Sequence, residues 1–282
     1  MLKKMVLILI ALAAIGYVAL LARPPKEFVL QTKRLDEASG IVYSRINQGI
    51  LWTHNDSGGK AEAYAIDTKG NLRAALQLKG VKNRDWEDIA ISYDAKTRKS
   101  YLYLGEIGDN AAKYPSVKVY RVEEPLLNPS DSLVSSGNID TCEIVYEDGA
   151  RDAEALFVEP TTGDIYIISK REERVGLYRV ANPYASSQIH TAKRIADLPL
   201  SWVTAADISA KGNYLLVKTY TGVWRFKCSL NAKGELRLSA KPKSLPYIVE
   251  PQGEGLCYAA VGKGYYTLSE AGDGPQVLYF YK

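Results

Sequence analysis

A short acidic motif recurs five times in this chain of 282 residues, and its carboxylates are the side chains best suited to chemistry. The clearest copy is residues 85–91, with the sequence DWEDIAI. The copies begin at Glu37, Asp85, Asp152, Thr204 and Gln252, so successive copies are 48, 67, 52 and 48 residues apart. A repeat near 50 residues, built from strand-like segments, is typical of a β-propeller or a similar array.

The acidic residues of the motif are predicted to gather at one end of the molecule. In a propeller the first strand of each blade lines the central channel, and the motif lies at the start of that strand. The third motif position is occupied by Ser39, Glu87, Glu154, Ala206 and Glu254, and the fourth by Gly40, Asp88, Ala155, Asp207 and Gly255. Loops after the second strands add His54, Asn55, Asp56, Glu106, Asp109 and Glu270. We therefore expect these side chains to meet at one mouth of the channel.

Clustered carboxylates repel one another and raise one another's pKa unless a cation lies among them. Oxygen ligands without clustered His or Cys suit a hard cation, calcium first and magnesium second. The sequence therefore predicts a divalent-cation site with ligands drawn from Asn55, Asp56, Glu87, Asp88, Glu106, Asp109, Glu154, Asp207 and Glu254. Two alternatives stay open. Lys170 and Lys218 could neutralise the acids or bind an anion, and carboxylates at strand starts often cap turns by accepting hydrogen bonds from loop amides.

Two of these residues are also candidates for catalysis. His54, one of two histidines in the chain, is predicted to lie at the mouth, where it could act as a general base. Glu154 is the carboxylate expected to take part in the same reaction. The alternative for His54 is a hydrogen-bonded side chain with no catalytic role. The sequence contains no GxSxG, Walker A or HExxH motif, so it gives no support to the enzyme classes that use them.

Charge and cysteine content exclude two further kinds of site. The formal net charge is +4, and residues 1–26 contain four basic residues and no acid, so the rest of the chain is neutral. A neutral body lacks the basic surface that non-specific nucleic-acid binding requires. Cys142, Cys228 and Cys257 are widely spaced, which argues against a structural zinc site. We expect them to be buried as small hydrophobic residues, with a Cys228–Cys257 disulfide as the alternative.

The amino-terminal residues form a separate segment. Residues 5–22 contain no charged side chain and follow Lys3 and Lys4, a pattern typical of a spanning helix or an export signal. The small-x-small cleavage pattern is poor here, which favours an uncleaved anchor over a cleaved signal peptide. We therefore divide the chain into a signal anchor or signal peptide, residues 1–26, and a β-propeller domain, residues 27–282. That domain is expected outside the cytoplasmic membrane, in the periplasm or at the cell surface, or secreted if the signal is cleaved.

Strand-like segments separated by turns account for the rest of the chain. Tyrosine (20) and glycine (22) are abundant and helical periodicity is scarce, which favours an all-β fold. The five motifs predict a five-bladed propeller, with six blades as the alternative. Residues 28–35 read as a strand without a hairpin partner and are expected to complete the last blade and close the ring. Residues 124–138, rich in proline and serine, are expected to form a surface loop.

Several segments taken together resemble a family of exported bacterial β-propeller proteins, largely uncharacterised and given WD40-like labels. They are residues 52–56 (WTHND), 85–90 (DWEDIA), 105–110 (GEIGDN), 152–156 (DAEAL) and 250–254 (EPQGE). More distantly, the chain is similar to SdiA-regulated propellers and to phytase-like and lactonase-like propellers, whose sites hold calcium in a central acidic ring. The resemblance implies a propeller fold and export. It implies no reaction, because the catalytic pattern of those hydrolases is not matched residue by residue.

Two functions of different classes fit these features. The first is a binding module, anchored in the membrane, whose acidic mouth holds a divalent cation and recognises a small polar ligand or a protein partner. The second is a calcium-dependent hydrolase of phosphate esters or lactones, in which the cation polarises the scissile bond and His54 or a carboxylate activates water. We expect the binding module, because it requires no matched acid–base pair and because a fold alone does not specify a function.

Overall fold

The structure is a computed structural model that describes residues 24–181, 183–184, 188–260, 264–272 and 274–282. These residues form 22 β-strands and no helix, which confirms the predicted all-β fold. Accordingly, the described residues contain no helix long and apolar enough to cross a membrane. The anchor or signal predicted at residues 5–22 lies outside the described part of the chain.

The strands are short and follow one another through tight turns. The first eleven are β1 Lys26–Val29, β2 Ala38–Tyr43, β3 Ile50–Asn55, β4 Glu62–Asp67, β5 Leu72–Gln77, β6 Trp86–Asp94, β7 Lys99–Glu106, β8 Val117–Glu123, β9 Leu133–Ser135, β10 Ile139–Tyr146 and β11 Ala153–Val158. The rest are β12 Ile165–Ser169, β13 Gly176–Val180, β14 His190–Asp197, β15 Val203–Ile208, β16 Tyr214–Thr219, β17 Gly222–Leu230, β18 Leu236–Leu238, β19 Lys243–Leu245, β20 Gly253–Tyr258, β21 Tyr265–Ser269 and β22 Val277–Tyr281.

Most strands pair antiparallel with their neighbours in sequence, in the up-and-down order of a propeller-like fold. One sheet has the order β2-β3-β4-β5-β9, a second has β15-β16-β17-β18 with β19 also on β17, and a third has β1-β22-β21-β20. The fourth has eight strands, in the order β11-β12-β13-β14-β10-β8-β7-β6. It is this large because β10 and β14, the outer strands of the second and third repeats, pair in parallel.

The first strand of each repeat is the innermost one. β2, β6, β11, β15 and β20 contact one another in a closed cycle, in which β20 returns to β2. Every residue of β11 is buried, as is every residue of β15. A strand that is covered on both faces consists mainly of small and apolar residues rather than alternating polar and apolar ones. The acids at the starts of these strands are therefore placed at the centre of the molecule.

The two ends of the described chain meet in one sheet. β1 pairs antiparallel with β22, from Lys26 opposite Phe280 to Val29 opposite Val277. This confirms the predicted pairing of the first and last segments, although the ladder stops well before residue 35. It stops because Leu30 and Leu35 turn inward and are buried in the core. β1 covers the edge of β22, which would otherwise offer unpaired backbone groups to another chain.

The insertion at residues 124–138 is more than the surface loop predicted from its composition. β9 lies within it and pairs in parallel with β5, adding a fifth strand to the sheet of the first repeat. The buried carboxylate of Glu124 accepts a hydrogen bond from Trp52 Nε1 (2.9 Å) and another from the Ser44 hydroxyl. The insertion therefore fastens the second repeat onto the first through long-range contacts, which local composition does not encode.

The apolar core lies between neighbouring sheets. One cluster brings Trp52 of the first repeat against Ile89 of the second, and another brings Phe157 of the third against Val217 of the fourth. Because each sheet packs on the sheets beside it, the relative positions of the innermost strands are set by extensive apolar burial. The acids on those strands are held on a rigid framework.

All three cysteines are buried as free thiols, so the alternative of a Cys228–Cys257 disulfide is not realised. Burial raises the pKa of Cys142 and Cys228 to about 12 and that of Cys257 well above its usual value. Because the thiolate is the reactive form, we expect a disulfide-exchange reagent at about pH 8 to label none of the three in the folded protein. After denaturation it should label three. Rapid labelling of any thiol before unfolding would contradict this burial.

Candidate metal centre

A β-bulge at the start of the innermost strands sets the direction of the acidic side chains. In β6, Trp86 pairs with Glu106 and Asp88 pairs with Gly105, which leaves Glu87 unpaired between them. The unpaired residues at the matching bulges of β11, β15 and β20 are Glu154, Thr204 and Glu254. A bulge breaks the regular alternation of side chains and re-aims the extra residue. The innermost strand β2 has the same bulge, at Gly40, so three of the five extra residues are glutamates.

The bulges show that the predicted register is wrong by two residues in the fourth repeat and by one residue in the first, where Gly40 and not Ser39 is equivalent to Glu87. Thr204, not Ala206, is equivalent to Glu87, and its hydroxyl donates a hydrogen bond to the Gly253 carbonyl oxygen (3.1 Å). Asp207 is therefore not equivalent to Asp88. The fourth repeat has no acid at its bulge. Because the repeats were aligned by their acidic residues, Asp207 was wrongly aligned with Asp88.

The glutamates at the bulges are the centre of a group of seven acids, which we call the acidic cluster. Carboxylate oxygens of Asp56, Asp85 and Glu87 lie within 4.8 Å of one another, and so do those of Glu87, Asp152 and Glu154. Glu87 belongs to both triads. Glu254 and Glu270 complete the cluster, since each acts electrostatically on the other and on neighbouring members. The prediction that Glu87, Glu154 and Glu254 converge is confirmed.

Gly108 lets the loop after β7 close over the cluster. A side chain at this position would collide with Glu87 Oε1, and its Cβ would lie 2.6 Å from the Asp85 carboxylate. The loop backbone therefore lies directly against the two acids. Glycine is the one residue that fits, because it has no Cβ.

The cluster contains more negative charge than its neighbours neutralise. Lys170 contacts Glu154 Oε1, and Arg171 Nε donates to Asp152 Oδ2 (2.6 Å). The Tyr220 hydroxyl donates to Glu254 Oε1 (3.0 Å). The second oxygens of Glu154 and Glu254 are buried and have no hydrogen-bond partner among the described residues. A buried carboxylate oxygen without a partner is costly, so both oxygens are available to a ligand.

The pKa values of several carboxylates in the cluster are raised, as burial and mutual repulsion require. Burial raises the pKa of Glu87 well above its usual value, and the charges of Glu154 and Asp56 raise it further. Burial, together with the charge of Glu254, raises the pKa of Glu270 to about 8, and burial raises that of Asp56 to about 6. Burial also raises the pKa of Glu154, although the positive charge of Lys170 lowers it. A cation among these groups would reverse the shifts.

Three of the predicted ligands lie beside the cluster and each makes at least one polar contact, although Asn55 Oδ1 and Asp109 Oδ1 are buried without a hydrogen-bond partner among the described residues. Glu106 accepts a hydrogen bond from the Tyr120 hydroxyl (3.3 Å) and lies 3.9 Å from Arg84 Nε. Asp109 accepts one from the Tyr114 backbone N–H (2.7 Å), while its own N–H donates to Asp152 (3.1 Å). Asn55 donates its amide to the Arg34 carbonyl oxygen (2.8 Å). These three residues position the loops around the acids.

Asp88 and Asp207, both predicted ligands, are placed elsewhere and bind backbone. Asp88 Oδ1 accepts a hydrogen bond from the Ile89 N–H (2.9 Å), and Oδ2 accepts from Leu156 (2.9 Å) and Ala206 (3.3 Å). Asp207 Oδ2 accepts from the Tyr258 N–H (2.7 Å). These two carboxylates therefore join innermost strands. They accept backbone hydrogen bonds, which is the structural alternative that the sequence left open for all the acids.

His54 is in the core and not at the open mouth. Its side chain is fully buried, its ring meets that of Trp86 edge-on, and Nδ1 lies 2.9 Å from the Asn55 carbonyl oxygen. Burial lowers its pKa to about 4, so the imidazole is neutral at physiological pH. Full burial separates the ring from the solvent at the mouth, and the general-base role of His54 stays a prediction.

We expect the His54 ring to remain neutral from about pH 8 down to about pH 5, because desolvation disfavours the imidazolium ion. Two-dimensional NMR of the imidazole nitrogens should show no protonation of the His54 ring over this range. A His54 transition near the ordinary histidine pKa of about 6.5 would contradict the burial.

Sequence reasoning left Asp85, Asp152 and Glu270 out of the metal ligands, although the structure places all three in the cluster. The sequence nevertheless marked all three as candidates. Asp85 and Asp152 occupy the first position of two motif copies, and Glu270 follows the second strand of the last repeat. Tyr220 was missed entirely. It lies in a turn with no acidic residue, and nothing local marks it as a neighbour of Glu254.

No protein-family model matches the sequence, and no curated protein is significantly similar to it. The named families that the motifs resemble are therefore not supported by these comparisons.

Among solved structures, the PQQ domain of pyranose dehydrogenase from Coprinopsis cinerea is similar with a TM-score of 0.47 and 11% identity, over 93% of this chain and 98% of that one. An auxiliary nutrient binding protein from Bacteroides thetaiotaomicron gives a TM-score of 0.45 and 8% identity, over 92% and 77%. The nidogen/laminin complex gives 0.43 and 10%, over 82% and 72%. Likenesses this distant transfer neither activity nor ligand, and the propeller-like fold rests on the sheet topology above.

Proposed function

We propose that the protein is a binding module in which the acidic cluster holds a divalent cation, calcium first, and presents it to a polar ligand. The observation that carries this proposal is the pair of buried, unpartnered oxygens on Glu154 and Glu254, which belong to a group of seven acids with few neutralising neighbours. Oxygen donors at several positions around one point suit the flexible, high coordination number of calcium.

A comparison with Asp88 supports a ligand-binding role for the glutamates. Asp88 is as buried as Glu154, yet its oxygens accept three backbone N–H groups. Within the described residues, no backbone N–H donates to the side chains of Glu87, Glu154 or Glu254, so they do not cap a strand or a turn. Carboxylates that accept no backbone hydrogen bond and repel one another need another reason to be buried together.

The ligand would reach the cation through the open side of the cluster, where Asp56, Asp85 and Glu270 are half-buried. Trp202 lies beside this opening, with 49% of its surface exposed and a backbone φ of 56°. Its ring is 5.4 Å from the Arg171 guanidinium, which also binds Asp152. An exposed aromatic ring and a cation next to a metal site favour a ligand with both a flat face and polar groups.

The framework that we propose for this site is a five-bladed propeller. The support is the closed cycle of five innermost strands and the pairing of β1 with β22. On this interpretation the eight-stranded sheet is two blades joined by the β10–β14 contact. We further propose that residues 1–26 anchor or export the domain formed by residues 27–282, so that the site faces the outside of the cytoplasmic membrane, where calcium is abundant.

The test of this function is calcium titration of the full chain after removal of bound metal. We expect saturable binding with a dissociation constant on the order of 10⁻⁴–10⁻³ M or tighter, as in extracellular modules, and weaker binding of magnesium. Glu87→Gln should weaken calcium binding at least about tenfold, since Glu87 lies in both triads. The matched control is Glu123→Gln, an exposed acid paired with Lys99, which should bind as the wild type does. Absence of saturable calcium binding would refute the proposal.

The alternative is a calcium-dependent hydrolase of phosphate esters or lactones. The observation in its favour is the raised pKa of Glu154, a property of general acids and bases, next to Lys170 in the cluster. A screen of phosphomonoesters, nucleotides and lactones, with calcium and with a chelator, separates the two functions. Turnover that disappears with chelator and with Glu154→Gln would favour the hydrolase, and its absence would leave the binding module.

A further inference from the structure

A cavity of about 500 Å³ lies at the end of the molecule opposite the acidic cluster. We call it the basic pocket, and its lining includes residues of the turn after β15, the end of β20 and the start of β21. β15 and β20 begin beside the cluster and end beside the pocket. A strand of six residues spans about 20 Å, so the pocket and the cluster are separate sites.

Cationic side chains ring the pocket, and Asp207, the acid whose pKa burial raises and the charge of Arg45 lowers, is buried beneath it. Arg45, Lys211, Arg225 and Lys282 line it, and within the described residues none of the four forms an ion pair. Arg45 and Arg225 are half-buried, so they are not merely solvated surface residues. Uncompensated cations at a concave surface focus a positive potential on whatever enters.

The acids nearest to the pocket do not cancel this charge at its surface. Asp207 is buried under the pocket, and its carboxylate accepts a hydrogen bond from the Tyr258 N–H (2.7 Å). Glu159, next to the β15–β16 turn, is buried and accepts bonds from the Thr161 and Thr162 N–H groups (2.8 and 2.6 Å). Both carboxylates are engaged by backbone and face away from free solution.

The walls of the pocket are apolar and aromatic. Leu245 and Pro246 form one side, and Tyr214, Tyr258 and Tyr265 contribute rings. The Arg225 guanidinium lies 4.9 Å from the centre of the Tyr214 ring, which holds the planar donor group in place. The Tyr258 hydroxyl is buried and has no hydrogen-bond partner among the described residues, so it is a donor without an acceptor.

We propose that the basic pocket binds a small organic anion, a carboxylate or phosphate attached to a ring-sized apolar body. The arginines match the anionic group because a guanidinium can donate two parallel hydrogen bonds to carboxylate or phosphate oxygens. The tyrosines and Leu245 match the apolar body, and a volume of about 500 Å³ lies in the range of small-molecule sites. This inference stands independently of the calcium site, because it uses different residues at the other end of the strands.

The test is calorimetric titration of the full chain with four probes: phenyl phosphate, benzoate, inorganic phosphate and benzyl alcohol. We expect phenyl phosphate and benzoate to bind, inorganic phosphate to bind at least about tenfold more weakly, and benzyl alcohol to show no saturable binding. Arg45→Gln and Arg225→Gln should each weaken the ring-bearing anions at least about tenfold. Arg237→Gln is the control, since Arg237 is an exposed arginine paired with Glu235 outside the pocket.

Thermal unfolding of each variant verifies that the fold is retained, and Arg225→Lys provides a second variant that keeps the charge but not the planar fork. Loss of affinity in Arg225→Lys as well as Arg225→Gln would support recognition through the guanidinium. The proposal is overturned if no ring-bearing anion binds saturably to the wild type, if benzyl alcohol binds as tightly as benzoate, or if Arg45→Gln and Arg225→Gln both leave the affinity unchanged.

Discussion

Calcium at 100 times its dissociation constant is expected to raise the free energy of unfolding of the full chain by about 2.7 kcal/mol. We expect the ion to bind only the folded chain, because the acids of the cluster come from distant parts of the sequence and separate on unfolding. Urea unfolding of metal-free protein, with and without added calcium, measures the increment directly. A stability independent of calcium would contradict the proposed metal centre.

The variant Glu87→Gln separates a metal site from a structural role for the same acids. If Glu87 is a ligand, the variant should lose most of the stabilisation by calcium. It should also be at least as stable as the wild type in metal-free buffer, because glutamine replaces a buried carboxyl group whose ionisation is disfavoured by burial and by the charges of Glu154 and Asp56. If Glu87 instead supports the fold, the variant is less stable both with and without calcium. Glu123→Gln serves again as the matched control at the surface.

Stabilisation by calcium is expected to be larger at about pH 8 than at about pH 6, because protons compete with the cation for carboxylates whose pKa is raised. Glu270, with a pKa of about 8, and Asp56, with a pKa of about 6, must both be deprotonated to bind the ion. In metal-free protein the stability changes with pH in the opposite direction. The folded state holds protons that the unfolded chain releases, so stability is lost as the pH rises through these values. Melting at several pH values, with and without calcium, measures both trends, and parallel curves would contradict the prediction.

Replacing Asp88 by alanine is expected to lower the free energy of unfolding by about 3–5 kcal/mol. The side chain is fully buried, and its two oxygens accept the backbone N–H groups of Ile89, Leu156 and Ala206, which belong to three innermost strands. Alanine leaves three buried donors without an acceptor and removes a side chain that joins β6, β11 and β15. Urea unfolding of the purified variant gives the free-energy difference.

Two further variants test the reason for that loss. Asp88→Asn keeps the shape of the side chain and one oxygen acceptor, so it should lower the free energy of unfolding less than alanine does. Some loss is still expected, because the new NH₂ group is a donor and must face either the Ile89 N–H or the other two N–H donors. Asp140→Ala removes an exposed acid paired with Arg121 and should cost less than about 1 kcal/mol. If Asp88→Ala were no more destabilising than Asp140→Ala, the central carboxylate would not be holding the strands together.

Repeated acids in this protein serve two different purposes, and adjacent positions of one motif show it. Glu87 is the extra residue of a bulge and points to the other glutamates, whereas Asp88, the next residue, points to backbone donors of two neighbouring strands. In a strand, neighbouring side chains face opposite sides, and a bulge alters that alternation locally. The hypotheses of a metal site and of structural capping therefore apply to different residues of the same motif.

The all-β fold, the pairing of the first and last strands and the convergence of Glu87, Glu154 and Glu254 could all be predicted from the order of the amino acids. These follow from a repeat near 50 residues, which brings equivalent positions together around an axis whatever the details of each strand. Three features could not be predicted in this way: the burial of His54 in the core, the two-residue error in the register of Asp207, and the pairing of residues 124–138 with the first repeat. Burial, bulge position and long-range pairing depend on which strands become neighbours, and that information is not carried by any local stretch of the chain.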